Sequence, residues 1–381
     1  MGLNLFAPAP MFPLIMEDYD LSRGSVSLLM VTAFLVFTIF LIPGGVISTK
    51  LGTKGAVLVS GLLMTAGILA PVTSSLPSIL PLRVAFAMGN AILLPATAAV
   101  IVQWFKTSER PIMNAVNLAA QGTGVAAAMF LSVPLAEALG WKNVLMAYGI
   151  FASLGAGVWL VFGRVAQSEA ASASPTSLTA IFGVLRERNT LLLSLAFVGP
   201  FAMFIGYSSW LPTYYNEAFD MPLQQASSIL ALLPLMGVVV NILSGFLLAR
   251  LGLHRPLLMA PGLLFPFGAF GAFYFNSVPI IIAAILALGF CFWIFLPTAL
   301  TVAMELPGVT MDKVALVTAA ALTIGNASTV VSPFLVGVFT DMLGSYVPSL
   351  SVLAIMPVTA LIAAAALPET GHRVKGRVPL R

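Results

Sequence analysis

Arg83 is the residue of this sequence best suited to hold an anion. It stands about five residues into an apolar run, residues 78–104, or roughly 8 Å from its end at 1.5 Å per residue. If that run crosses a bilayer, the charge must face a wet cavity or find polar partners, because hydrocarbon offers neither. Its planar guanidinium fork matches a carboxylate or a similar flat anion. Two readings stand side by side. Arg83 binds such an anion, or it snorkels to the headgroups or pairs structurally with Glu17, Asp18 or Glu137. Asn90 lies two helical turns deeper on roughly the same face, where it extends a polar path or bonds a neighbouring helix.

Further polar residues recur at helical spacing in otherwise apolar runs. Asn114, Asn117 and Gln121 stand at i, i+3 and i+7, so they share one stripe that faces protein or water rather than lipid. Asn117 and Gln121 are the cavity candidates of that stripe, with Asn114 nearer a helix end. Tyr207, Trp210 and Tyr214 repeat the same spacing and form one aromatic face, suited to an outer gate or to the wall of a ligand site. An aromatic belt at the headgroups is the other reading, and Tyr215 fits it. Pro212 is expected to bend that helix. Asn241, Trp293 and Asn326 complete the candidate lining set, with Thr323 and Thr329 beside Asn326.

The elements that carry these residues follow from composition. Hydrophobic residues make up 60% of the 381-residue chain and charged ones only 8%. An ordinary soluble domain has roughly 25% charged residues, and so few charges cannot cover a water-facing surface. Disorder needs the opposite composition. The chain is therefore an all-α polytopic membrane protein, since the apolar runs are too long and continuous for barrel strands. The expected runs are 3–16, 24–47, 56–75, 78–104, 111–137, 143–163, 190–215, 224–249, 256–275, 277–304, 314–339 and 345–367. That is twelve transmembrane helices. The first is short and carries Pro8, Pro10 and Pro13, either a stub of a helix or a kinked span. It has no basic leader of the signal-peptide kind.

Charge supports this threading. With a cytoplasmic amino terminus, the inner loops and tail collect 14 of the 17 Lys and Arg residues, the bias expected of cytoplasmic segments. Both termini are then cytoplasmic, and the protein lies in the cytoplasmic membrane. Nucleic acid is excluded as a partner, because no clustered basic patch or aromatic module exists to hold it. Cys291 is the only cysteine and the two histidines are His254 and His372, so no metal or cofactor is expected. No Walker, HExxH, GxSxG or CxxC motif is present, and an enzyme is not expected. No Asp or Glu falls deep in a span, which removes the usual carboxylate of a proton symporter.

The chain also repeats itself. Gly45 to Lys54 and Gly245 to Arg255 occupy corresponding loops 200 residues apart, and ILLPATA at 92–98 echoes IFLPTAL at 294–300 at an offset of 202. Two pseudo-symmetric six-helix halves are expected, 1–163 and 190–367, joined by a cytoplasmic linker at 164–189 with a short interfacial helix at 178–188. A basic tail follows at 368–381. Such halves place a carrier's site between them.

On these residues the sequence resembles the major facilitator superfamily. Its loop signature reads Gly-x-Leu-x-Asp-Arg/Lys-x-Gly-Arg/Lys-Arg/Lys. Gly45, Lys50, Gly52 and Lys54 match it in the first half, with Thr49 at the acidic position. Gly245, Arg250, Gly252 and Arg255 match in the second, with Ala249 there. Without the acid, contacts from basic side chains to backbone at helix C-termini are expected to replace the family's clasp. WFKTSER at 104–110, WLPTYYNE at 210–217 and SPFLVGVFTDMLGS at 332–345 add to the likeness, which is nearest the cyanate and nitroimidazole type of small-anion carrier.

The resemblance implies a monomeric secondary active or facilitative transporter that moves a small solute by alternating access. The expected solute is a small organic anion such as a monocarboxylate, with a co-transported proton or a counter-anion left open. An efflux carrier of amphipathic compounds and a non-transporting receptor or assembly protein of the same fold are the alternatives.

Overall fold

The computed structural model describes residues 1–106, 109–164, 183–184, 186–307, 309 and 311–370. Most of the expected linker and of its interfacial helix lies outside the described residues, as does the tail beyond 370. Among the described residues every regular element is helical. The chain forms two compact units, Met1–Pro175 and Thr176–Arg381.

The first unit begins with a broken segment. Helix α1 (Gly2–Phe6) is followed by a 3₁₀ turn at Ala9–Met11 and by α2 (Phe12–Tyr19). Pro8, Pro10 and Pro13 explain the breaks, since proline supplies no amide hydrogen and disfavours a helical residue before it. Helix α3 (Arg23–Met64) starts at Ser22, whose side chain accepts from the Ser25 amide at 3.2 Å, and continues as a 3₁₀ stretch at Thr65–Val72. A capping box between Ser75 and Ser78 opens α4 (Leu76–Trp104). Helices α5 (Arg110–Leu139) and α6 (Trp141–Phe162) complete the unit.

Residues 23–72 would measure about 75 Å as one straight helix, more than twice the roughly 30 Å hydrocarbon core. They do not run straight. Gly52 has φ 67° and ψ 166°, a conformation essentially confined to glycine. Residues eight positions to either side then pack against neighbouring turns of α4. A Cβ on Gly44 would stand 2.9 Å from the Ala91 carbonyl, and one on Gly89 would stand 2.7 Å from the Ser60 carbonyl. Both missing side chains let backbones touch. Ala56, Ile92 and Ala96 form the core of this hairpin, with Phe40, Ile47 and Leu63 around them.

The second unit holds α7 (Arg188–Phe219), α8 (Leu223–Leu251), α9 (Arg255–Tyr274), α10 (Val278–Glu305) and α11 (Met311–Leu343). Its last span is divided into α12 (Val347–Ile355) and α13 (Val358–Ala366). Pro357 separates that pair. Ten helical runs among the described residues are long and apolar enough to cross a membrane. Arg23–Val72 holds two of these segments, joined at Gly52, so eleven long apolar helical segments stand beside the broken first one among the described residues. Helix α7 passes Pro212 without a break in its helical backbone.

Positive φ values recur with the repeat. Among the described residues they fall at Asp20, Gly52, Gly140, Asp220, Gly252 and Gly344. Each unit has three, and they pair at offsets of 200, 200 and 204 residues.

Candidate functional site

Arg83 is 5% exposed, about two turns into α4. Its Nη1 donates to the Asn4 carbonyl at 2.8 Å, its Nη2 to the Leu5 carbonyl at 2.8 Å and its Nε to the Leu29 carbonyl at 3.0 Å. The sequence explains why the first carbonyl is available. In a continuing helix Asn4 would accept from residue 8, and Pro8 has no amide hydrogen to give. Phe86 places its ring 5.3 Å from the guanidinium carbon, a favourable cation–π contact. Arg83 makes no ion pair among the described residues. The side chain thus turns inward to carbonyls, and Glu17, Asp18 and Glu137 are not its partners. Asp18 instead takes Lys142 at 2.9 Å and the Trp141 indole at 3.2 Å.

The carbonyls hold a charge that hydrocarbon would reject, because charge-assisted hydrogen bonds are short and roughly twice as strong as neutral ones. Three of the five guanidinium N–H groups are used, leaving two. A cavity of about 20 Å³ adjoins the side chain, with Asn4, Phe86 and Leu145 in its wall.

The broken first helix is the common neighbour of several candidates. Gly2 lies so close to α5 that a Cβ there would overlap the Gln121 carbonyl and the Val125 amide. The Asn4 side chain donates to the Tyr148 carbonyl of α6 at 3.2 Å, and the Tyr148 hydroxyl meets Ser132 at 3.1 Å. Thus α1 joins the Arg83 position on α4 to the Gln121 position on α5. Asn90 is 1% exposed and its Oδ1 has no hydrogen-bond partner among the described residues. Asn117 and Gln121 are half-buried.

In the second unit Tyr207 and Trp210 are fully buried. The Tyr207 hydroxyl reaches the Leu350 carbonyl at 3.1 Å and the Ala269 carbonyl at 3.4 Å, and the Trp210 indole donates to Pro333 at 2.8 Å. Tyr214 and Tyr215 donate to Phe273 and Ala272 of α9 at 2.8 and 2.6 Å. This aromatic face ties α7 to α9, α11 and α12, with every polar tip already bonded. Tyr215 sits inside the bundle, which corrects its expected place in a headgroup belt. Trp293 donates to Leu233 at 3.1 Å and lies against Gly237, where a Cβ would stand 2.6 Å from the ring. Asn241 and Asn326 are half-buried.

The loop motif residues occupy helix ends. Gly52 makes the reversal described above, Gly252 caps α8 in the left-handed region with φ 59°, and Lys50 and Lys54 are exposed. Arg255 Nη2 donates to the Ala365 carbonyl in the last turn of α13 at 2.5 Å. Arg110 likewise donates to Phe105 and Val102 at the end of α4, at 3.2 and 3.1 Å.

Sequence reasoning missed two sets of partners. Asn4 and Leu5 contribute backbone, and the only signal was Pro8 four residues after Asn4. Glu369 accepts from the amides of His254, Arg255 and Thr370 at 2.8, 2.9 and 3.0 Å, so a carboxylate from the far end of the chain caps α9. Buried His254 lies 3.3 Å from Glu305 and 3.1 Å from Thr370.

The Major Facilitator Superfamily profile matches residues 1–333. Among curated proteins, the chloroplastic ascorbate transporter of Arabidopsis thaliana is 26% identical over 59% of this chain and 45% of its own. The nitrite extrusion protein of Bacillus subtilis is 22% identical over 54% and 51%. The hexuronate transporter of the same bacterium is 22% identical over 61% and 58%. The matches thus span about half the length of these relatives. In overall fold the chain is similar to a bacterial homolog of the human lysosomal transporter Spinster, in its inward-facing, unoccupied conformation. That likeness has a TM-score of 0.76 at 15% identity and covers 96% of this chain and 93% of the other. A nucleoside transporter, NupG, gives 0.75 at 12% identity with 96% of both covered. The matched profile, the helical spans and the repeated loop motif lead to one assignment: this chain is a polytopic member of the Major Facilitator Superfamily, a family of membrane transporters and not of enzymes.

Proposed function

We propose that the protein carries a small organic anion across the membrane by alternating access, with Arg83 as the anion anchor. One observation carries this reading: a buried guanidinium has carbonyls and an aromatic ring around it, yet no carboxylate among the described residues. A cation so placed is deficient in negative charge. A bound anion supplies it, either through the two remaining N–H groups or by displacing the α1 carbonyls. Ascorbate, nitrite and hexuronate, named in the relatives above, are all anions at neutral pH, which supports the same class. Within it, a planar monocarboxylate matches the guanidinium fork best.

Asn90, Asn117 and Gln121 supply further hydrogen bonds in this reading, and the orphaned Asn90 oxygen is its most specific support outside Arg83. Asn241, Trp293 and Asn326 are the candidate substrate contacts of the second half. Tyr207 and Trp210 act as posts that hold α7 in place. The broken segment 2–19 completes the first six-span half, giving twelve spans. The protein works as a monomer in the cytoplasmic membrane with both termini inside, and the anion itself takes up any co-transported proton.

The test is uptake of a panel of labelled carboxylates and inorganic anions into proteoliposomes, wild type beside Arg83→Ala, with and without an inward proton gradient. Saturable anion flux lost in the variant is the expected result. Flux unchanged in the variant removes Arg83 as anchor. No anion flux in folded wild-type protein removes the substrate class.

A further inference from the structure

Two oxygens of α1 stand on Arg83 as those of a carboxylate would. The Asn4 carbonyl takes Nη1 and the Leu5 carbonyl takes Nη2, each at 2.8 Å, while Nε is held by Leu29 of α3. A bidentate carboxylate uses such a pair of guanidinium nitrogens. The cavity beside the side chain is about 20 Å³, room for about one water molecule. A carboxylate with its carbon chain does not fit there while α1 is in place.

α1 itself is lightly tied. It has five residues, far below the roughly 12–15 at which an isolated helix is even marginal, so it keeps its form only while docked. Phe6 is the one large side chain it buries, edge-on to Phe34 of α3 at 6.1 Å. At Gly2 and Leu3 it meets α5 backbone to backbone, and a Cβ on Gly124 would stand 3.1 Å from the Leu3 amide. One polar side chain fastens it: Asn4, 8% exposed, donates through Nδ2 to the Tyr148 carbonyl of α6 at 3.2 Å. Past the break at 8–11 the segment is held more firmly. There the Tyr19 hydroxyl bonds the Thr73 carbonyl at 3.0 Å, and Asp18 takes both Lys142 and Trp141. The tip of the segment is loose and its base is fixed.

We propose that α1 is a strap that occupies the Arg83 fork in place of a substrate carboxylate and lifts about the break at 8–11 to admit it, with the Asn4 side chain as the positioning latch on α6. Only Nη1 and Nη2 change partners, and the bond from Nε to Leu29 keeps the fork oriented. The inference rests on the anion reading above, and within it selects displacement of the α1 carbonyls over use of the spare N–H groups. The strap is closed in this structure, so the anion binds only the open fraction. Any change that raises opening by some factor then tightens apparent affinity by the same factor. A residue that merely stabilised the fold would not link the two.

The test is hydrogen exchange by mass spectrometry on the full chain in phosphatidylcholine nanodiscs, beside calorimetric binding of acetate, pyruvate and nitrite. In the wild type, residues 2–7 are expected to exchange through an opening of their own, faster than α4 and α6. Asn4→Ala raises exchange at 2–7 and lowers half-saturation by one common factor of about 2- to 10-fold, the loss of one ordinary hydrogen bond. Exchange in α4–α6 stays as it was, which also shows that the variant folds. A saturating anion speeds exchange at 2–7 in the wild type and not in Arg83→Ala. Exchange at 2–7 that rises only together with α4–α6 overturns the strap. So does an Asn4→Ala variant that opens more readily and binds no more tightly. A bound anion that leaves exchange at 2–7 unchanged overturns the strap alone and keeps Arg83 as anchor through its spare N–H groups. No binding of any of the three anions removes the monocarboxylate reading and the strap with it, so the two failures read differently.

Discussion

The guanidinium of Arg83 and the carbonyl of Asn4 meet at 2.8 Å across two helices 79 residues apart in sequence. The contact exists because Pro8 leaves that carbonyl without an intrahelical donor. A helix C-terminus carries partial negative charge, so the broken first helix serves as the counterion that no side chain among the described residues provides. In the proposed mechanism substrate and helix compete for the same fork. Pro8→Ala restores the missing amide, weakens the hold of Asn4 on Arg83, and is expected to tighten anion affinity about 2- to 10-fold, the worth of one ordinary hydrogen bond. Equilibrium binding of the best anion from the proteoliposome panel checks this.

Arg83→Lys keeps the charge and loses the fork. Lysine's three donors radiate from one atom, so it cannot span carbonyls on both α1 and α3. Anion uptake is expected to fall at least about 10-fold, since each charge-assisted bond is worth about 1.5–3 kcal/mol. Thermal stability falls as well, because lysine leaves carbonyls of α1 or α3 without their donor and an ammonium is more strongly hydrated than a guanidinium. Initial uptake rates beside unfolding midpoints in detergent separate the two effects.

Gly52 and Gly252 stand 200 residues apart in corresponding loops but require glycine to different degrees. Gly252, at φ 59° and ψ 18°, is left-handed, whereas Gly52, at φ 67° and ψ 166°, lies where other residues clash. Asparagine tolerates the first conformation and not the second. Gly252→Asn is therefore expected to change stability by less than about 1 kcal/mol, and Gly52→Asn to cost about 1–3 kcal/mol. Chemical unfolding of the two variants side by side measures the difference.

The fold was legible because its determinants are local. Apolar run length placed the spans, and the helix breaks fall at Pro8 and Pro357, where the backbone lacks a donor. The hairpin at Gly52 was legible too, as the glycine of a repeated loop motif. The surroundings of the candidate site were less so. Arg83 stood out by type, but its partners are backbone carbonyls, which have no residue identity to read. Tyr207 and Trp210 show the converse limit. Their spacing revealed one face without revealing what that face meets, and it meets Leu350 and Pro333 on other helices of the unit.

Glu369 caps α9 from 114 residues away, accepting the His254 and Arg255 amides on one carboxylate oxygen. An anionic side chain at a helix N-terminus satisfies donors that the helix leaves free and also complements its dipole. Glu369→Ala is expected to lower stability by about 1–2 kcal/mol and to speed hydrogen exchange at the first turn of α9. Glu369→Gln, which keeps an acceptor oxygen, restores most of the stability. Exchange at His254 and Arg255 that is unchanged in Glu369→Ala excludes the cap.

Tyr207→Phe separates a structural post from a ligand wall. The hydroxyl bonds Leu350 and Ala269 in a fully buried position, so its removal is expected to cost about 0.5–1.5 kcal/mol of stability. If Tyr207 only braces α7 against its neighbours, the KM for the transported anion stays within about 2-fold of wild type while the unfolding midpoint falls. A wall residue behaves in the opposite way, because loss of a substrate hydrogen bond raises KM in proportion to the energy lost. Trp210→Phe repeats the experiment at the Pro333 carbonyl, where the indole donates at 2.8 Å. Matching behaviour at both positions, stability lowered and KM unchanged, assigns the aromatic face of α7 to the scaffold and leaves recognition to the Arg83 side.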